Sequence, residues 1–314
     1  MTIPADGTTW PLVAHACAAI AAGIAACLLG LLAPRARGTT LLAPLLWAVA
    51  AFTFLASSEV WIAANVEDES SFGISLLRYA ATAGLFTPIM ALLGAKRPQD
   101  RGWQWIVASL WLVLVWPALQ GLVTASAARV ELFTAWRLFL GGLLCLAPLN
   151  YIPTQFRVAV LLATVGQAVL IYEWLAKGSA SDSGSRTLVG TFLLLLAVAA
   201  LRRGLTASNA KARHGHQPES AANRQTARWI AFRDAFGAFW SLRVMQRVNQ
   251  TAELQNWPVR LEWAGFQAVS EPGAAHDHDT AGDHTVYQDR NSAVLAETKD
   301  QIDQTLDTLL RRFL

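Results

Sequence analysis

Seven polar or ionisable residues lie inside the apolar stretches of this 314-residue chain, near one end of each stretch. They are His15, Glu59, Arg78, Gln120, Arg137, Tyr172 and Glu173. A charge within a membrane helix costs at least ~2.5–3.5 kcal/mol, so such residues mark ion pairs, proton pathways or binding sites. Their common depth predicts one polar layer shared by several helices.

Three interpretations of this layer stay open. It could be a set of ion pairs, with Glu59 bound to Arg78 or Arg137 and Glu173 bound to the other arginine, since buried charges need partners. It could be a polar pocket open to the outside, in which the arginines bind an anionic or zwitterionic ligand. It could also be a proton relay through Glu59 and His15.

Membrane-spanning helices must position this layer. The chain is 54% hydrophobic and 15% charged, whereas soluble domains have about 25% charged residues. A crossing needs about 20 mostly apolar residues. Seven stretches approach this length, and the last is the shortest and least complete crossing; they are 11–33, 40–64, 73–95, 103–125, 131–149, 157–176 and 187–202.

Lysine and arginine in the short loops predict the orientation. Ten of them fall on one side of the seven spans and three on the other. Because cytoplasmic loops carry the excess of positive charge, the N-terminus is predicted outside and the C-terminus in the cytosol. We expect an integral protein of a bacterial-type cytoplasmic membrane, and no secretory signal peptide is visible before the first span.

The first span carries two rows of small residues at four-residue spacing. One row is Ala14, Ala18, Ala22, Ala26 and Gly30, and the other is His15, Ala19, Gly23 and Cys27. Small residues allow close approach of helices in lipid. The rows indicate either a tightly packed central helix or the seam of a homodimer.

The last third of the chain is richer in charge and is predicted to lie in water. Residues 205–220 read as a linker and 221–314 as a small cytosolic domain. A helix is expected over 221–249, where aromatic and basic residues suggest a helix lying on anionic inner-leaflet lipids. The residues concerned are Arg224, Arg228, Trp229, Arg233, Trp240, Arg243 and Arg247. Packing of this helix against the cytosolic domain is an equal alternative, and a bend near Gly237 is one explanation for the arginines that continue the aromatic stripe.

The remainder of the domain alternates in polarity and then becomes polar. Residues 258–269 predict a short hairpin, and 291–314 an amphipathic helix with Ile302, Leu306, Leu309 and Phe313 on one face. The acidic excess of 249–314 can offset the basic helix. Between hairpin and helix, His276, His278 and His284 are metal-ligand types, but they lack the spacing of a closed zinc site, which favours a solvated loop.

Several functions are disfavoured by the sequence. All four lysines lie outside the predicted spans, so retinal has no Schiff-base residue, and His15 is the only histidine within a span, which excludes intrachain bis-histidine haem ligation. Hydrolase, metalloprotease and nucleotide-binding motifs are absent, and no nucleic-acid partner or cofactor is expected.

The sequence therefore predicts an all-α seven-transmembrane-helix bundle with a small cytosolic α+β C-terminal region. The favoured function is a sensor or receptor-like protein whose outer-leaflet polar pocket is coupled to the cytosolic domain. A structural or accessory subunit, bound to other membrane subunits or to a second copy, is the alternative. A transporter or membrane enzyme has the least support.

Overall fold

A computed structural model describes residues 9–65, 71–95, 100–124, 130–176, 183–214, 221–269 and 299–311. The chain divides into two compact units, Met1–Gly204 and Leu205–Arg312. The described residues of the first unit form α-helices joined by turns and short irregular segments, and the last helix continues into the second unit. Its helices are α1 (Thr9–Gly30), α2 (Ala33–Ala36), α3 (Leu42–Ala64), α4 (Phe72–Gly84), α5 (Thr87–Leu93), α6 (Asp100–Thr124), α7 (Thr134–Tyr151), α8 (Arg157–Leu175) and α9 (Ser183–His214).

Within the described ranges, six helical segments are long and apolar enough to cross a membrane, which makes this unit that of an all-α multi-pass membrane protein. They are Trp10–Gly30, Leu42–Ala64, Phe72–Leu93, Gly102–Leu122, Arg157–Leu175 and Gly184–Ala207. The predicted last span is thus not the short one, because α9 continues to His214. The fifth predicted span, α7, is not among the six. Its 18 residues reach only about 27 Å, and they include Arg137 and Asn150.

The third crossing is the most buried of the six, with 72% of its most apolar 18-residue stretch buried against 22–44% for the others. It is interrupted between α4 and α5, although hydropathy predicts one continuous span over 73–95. Pro88, in the first turn of α5, has no N–H to give to the carbonyl of Gly84, and the Thr87 hydroxyl donates to that carbonyl at 2.7 Å instead. The interruption therefore leaves the Gly84 carbonyl satisfied.

Tryptophan side chains of α6 donate hydrogen bonds to two other backbone carbonyls of the same crossing. Trp111 Nε1 donates to the carbonyl of Ala80 at 3.2 Å, and Trp103 Nε1 donates to that of Met90 at 2.8 Å. In lipid no water is present to satisfy backbone groups near a helix end. The deep tryptophans of α6 thus stabilise the interrupted helix.

The second unit contains α10 (Ala221–Leu254), β1 (Val259–Glu262), β2 (Gly265–Ala268) and α11 (Lys299–Leu310). The two strands form an antiparallel hairpin in which Val259 faces Ala268 and Leu261 faces Phe266. Within α10 the helix breaks at Gly237, whose φ of 76° is in the left-handed region that glycine tolerates. Aromatic and aliphatic side chains from all four elements form the core: Trp229, Phe232, Phe236, Val248, Leu261, Phe266, Ile302 and Leu306.

Candidate functional site: a buried histidine–glutamate pair

The site is a hydrogen bond between His15 of α1 and Glu59 of α3. His15 Nδ1 lies 2.6 Å from Glu59 Oε2, and both side chains have no exposed surface. His15 is six residues after the start of α1 at Thr9, and Glu59 is five residues before the end of α3 at Ala64. At 1.5 Å per residue, both lie about 8–9 Å from the ends of their helices.

The small residues of α1 bring this pair together. Ala14, Ala18 and Ala22 are fully buried where α1 packs along α3, the most extensive helix contact in the described chain. Because the alanines allow the two backbones to approach closely, His15 reaches Glu59. Ala14, Ala18, Ala22 and Ala26 of the first small-residue row are therefore buried within the chain, whereas Cys27 of the second row is exposed.

The start of α9 covers the pair on the imidazole side. A Cβ atom placed on Gly184 would lie 3.7 Å from His15 Nε2 and 3.4 Å from Ala14 Cβ. One residue further along α9, the Ser185 hydroxyl accepts a hydrogen bond from Trp10 Nε1 at 3.2 Å. The first turn of α9 thus lies beside α1 and the histidine, with room for a Cβ at position 184 in ordinary van der Waals contact.

The charge of the pair depends on the number of protons it holds. With one proton between the groups, both imidazolium–carboxylate and imidazole–carboxylic acid have zero net charge. A second proton gives +1, and loss of the first gives −1. An uncompensated charge is costly in an apolar interior, and Glu59 Oε1 has no hydrogen-bond partner in the part of the chain that the structure describes. The number of protons on the pair therefore decides whether a net charge is buried at this site.

Glu59 does not bond to an arginine, contrary to the ion-pair interpretation. Arg78 of α4 is buried and, like Glu173 of α8, interacts with other groups. The hydrogen bond of Glu59 is instead with His15, because α1 is the helix packed closest along α3. Hydropathy locates each charge but does not reveal which helices are neighbours.

The other residues of the predicted layer lie at the same ends of their helices but are not all turned inward. Gln120 and Tyr172 are exposed, and Arg137 of α7 and Glu173 are half-buried. One turn before Arg78, the hydroxyl of Ser75 accepts a hydrogen bond from the Val130 amide at 3.2 Å. The structure therefore brings His15 and Glu59 together, and Arg78, Gln120 and Glu173 each make interactions of their own.

A second polar contact, which was not predicted from the sequence, lies in the core of the first unit. Tyr79, fully buried on α4, donates its hydroxyl to the carbonyl of Leu114 at 2.9 Å. Trp136 Nε1 donates to the same carbonyl at 3.4 Å. Leu114 lies in the turn before Pro117, an interior proline of α6 that disturbs the local backbone bonding. That proline is the sequence signal that could have indicated the contact.

In the second unit, some side chains of the predicted basic helix lie in the interior and others lie at the surface. Trp229 is fully buried and donates Nε1 to the Trp263 carbonyl at 3.3 Å, so its ring does not face a lipid surface. Arg233 donates to the same carbonyl at 2.9 Å. Arg228 binds Asp307 and lies 3.6 Å from Asp303, which shows the acidic tail offsetting the basic helix at this residue.

Three of the predicted basic-helix residues lie beyond the Gly237 break. Trp240 is half-buried and Arg243 and Arg247 are exposed. The Arg224 side chain and the candidate metal ligands His276, His278 and His284 lie outside what the structure describes. No family model, curated protein or solved structure matches this chain.

Proposed function

We propose that this protein is a membrane sensor that receives its signal at the His15–Glu59 pair and passes it along α9 to the C-terminal unit. The observation that carries the proposal is the position of Gly184, at the first turn of α9, against the imidazole of His15. The same helix is 32 residues long and ends at His214, inside the second unit. At 1.5 Å per residue it extends about 48 Å.

The proposed stimulus is a change in protonation of the pair. A gain or loss of one proton changes the net charge of the pair by one unit. The N-terminus of a helix carries a positive partial charge, and Arg186 adds a full charge to the first turn of α9. A doubly protonated pair with charge +1 is repelled by this end, so acidification would loosen the first turn of α9 from α1.

We further propose that α7 completes a seventh crossing, with the N-terminus outside and the C-terminus in the cytosol. The ten-to-three distribution of short-loop lysine and arginine supports this orientation. It puts the His15–Glu59 end of the bundle at the outer face and the second unit in the cytosol. Reporter fusions after Tyr151 and after His214 test this topology. Both reporters are expected to lie in the cytosol. An outside location for either fusion overturns the arrangement.

Hydrogen exchange on the full chain in lipid nanodiscs tests the sensor proposal. Exchange is compared near about pH 5 and about pH 7.5, on either side of the usual imidazole range, after correction for the intrinsic pH dependence of exchange. Acidification is expected to raise exchange in the first turns of α9 and in α10. In Glu59→Gln both responses should be lost.

The matched control is Glu131→Gln, the same chemical change at an exposed acid before α7. It should retain the response. If wild-type α9 responds while α10 does not, the pair is not coupled to the second unit, and the accessory-subunit alternative becomes the better account. If the Glu59→Gln and Glu131→Gln proteins respond alike, the pair is not the receiving site.

A further inference from the structure

The second half of α10, residues 238–254, exposes one continuous face. Its opposite face is buried against the unit and includes Ser241, Val244, Val248 and Ala252. The exposed side chains recur every three to four residues, which places them on one side of a helix. They are Phe239, Leu242, Arg243, Gln246, Arg247 and Gln250.

The break at Gly237 separates this face from the first half of α10. Before Gly237 the aromatic side chains Trp229, Phe232 and Phe236 are buried. After it, Phe239 and Leu242 are 39% and 50% exposed. A straight helix would continue the aromatic stripe into the core, whereas the break at Gly237, with a φ of 76°, leaves Phe239 and Leu242 partly exposed.

Apolar and cationic groups are combined on this face. Arg243 and Arg247 are the only basic residues in 238–254, and the one acid of this segment, Glu253, lies 3.9 Å from Arg260 of β1. The Arg243 guanidinium lies 5.9 Å from the centre of the Trp240 ring. Helices that lie at a lipid interface likewise combine arginine with large apolar side chains, which enter the interface while the basic side chains remain at the headgroups.

We propose that the face formed by Phe239, Leu242, Arg243 and Arg247 binds the anionic lipid headgroups of the membrane that the chain itself crosses. Two arginines and two apolar side chains are few for a stable protein interface, which buries about 800 Å² per partner. A covalent tether removes the need for a large contact, because it holds the face at high effective concentration near the lipid. Here the tether is short, since α9 contains the crossing Gly184–Ala207 and α10 begins at Ala221.

The test places an environment-sensitive dye on Leu242→Cys in the full chain. The three native cysteines, Cys17, Cys27 and Cys145, are exposed and are replaced first. The protein is studied in nanodiscs of zwitterionic lipid and in nanodiscs containing an anionic lipid. We expect a blue-shifted dye that brominated lipid quenches in the anionic nanodiscs, with clearly weaker quenching in the zwitterionic ones.

Two variants separate specific binding from general nearness to the bilayer. A dye on Thr308→Cys, an exposed position of α11, should show weak quenching in both lipids. Arg243→Gln combined with Arg247→Gln should abolish the difference between the lipids at position 242. Equal quenching at 242 and 308, quenching insensitive to anionic lipid or to the arginines, or no quenching at 242 would each overturn the proposal. A thermal unfolding curve checks that the surface changes leave the fold intact.

Discussion

Helices α8 and α9 cross at two glycines, and this crossing sets the position of the helix that we propose carries the signal. A Cβ atom on Gly166 would lie 2.8 Å from the carbonyl oxygen of Gly190 and 3.1 Å from Leu193 Cβ. Non-bonded carbon atoms settle at about 3.5–4.0 Å, and a backbone oxygen cannot rotate away. Gly166→Ala must therefore separate the two helices by roughly 0.7 Å.

The expected cost follows from this separation. Overpacking a close contact costs about 1–3 kcal/mol, while replacing glycine by alanine within a helix returns about 1 kcal/mol. The net loss for Gly166→Ala is thus about 0–2 kcal/mol, by the same two terms. Gly190→Ala should cost less, because its nearest obstacle is the flexible Leu170 side chain at 2.7 Å, and the Gly166 oxygen is at 3.0 Å.

Denaturant-induced unfolding of the purified protein in mixed micelles measures these differences. The control is Gly141→Ala in α7, where a Cβ would meet no atom within 4 Å, so that this variant should be unchanged or more stable. The predicted order of stability is Gly141→Ala highest, then Gly190→Ala, then Gly166→Ala. Equal stability of the Gly166 and Gly141 variants would refute the close crossing.

Two further predictions concern single hydrogen bonds. Tyr79→Phe removes the hydroxyl that binds the Leu114 carbonyl and should lower the unfolding free energy by about 0.5–1.5 kcal/mol. Tyr172→Phe, at a side chain 54% exposed, should leave the unfolding free energy unchanged. Equal effects of the two substitutions would contradict the assigned bond. Asn249→Ala removes two bonds to the backbone of Leu261, at 2.8 and 2.9 Å, and should speed hydrogen exchange of the Leu261 amide while Gln250→Ala leaves it unchanged. An unchanged Leu261 amide in the Asn249 variant would show that this side chain does not hold β1.

Much of the fold could be predicted because hydropathy and local periodicity are properties of short segments. The apolar runs predict helices at the six crossings, and alternation predicts the hairpin at 258–269. The interruption of the third crossing was missed because Pro88 alone does not break a membrane helix. It does so here together with the tight turn at Leu85 and Phe86, whose amides bind the carbonyls of Thr82 and Ala83.

The site was only partly predictable, because a partner depends on which helices are neighbours. Charge balance suggested an arginine for Glu59, yet His15 occupies that place because the alanine row of α1 packs on α3. The position of Gly184 was missed since the last span was expected to begin at Thr187, after the small polar residues that in fact form the first turn of α9. Burial of Trp229 likewise depends on the hairpin, which lies 30 residues later in the sequence.

The central claim is that one proton-binding pair, His15–Glu59, controls the C-terminal unit through α9. Infrared difference spectra of the full chain in nanodiscs, recorded as the pH is stepped, report the carboxyl band of Glu59, which is assigned by its loss in Glu59→Gln. Hydrogen exchange in α10 is followed over the same pH range. We expect the carboxyl band and the hydrogen exchange in α10 to change with one shared midpoint, and both changes to be lost in Glu59→Gln. A Glu59 band that titrates while α10 stays unchanged, or that titrates at a clearly different pH, would contradict it.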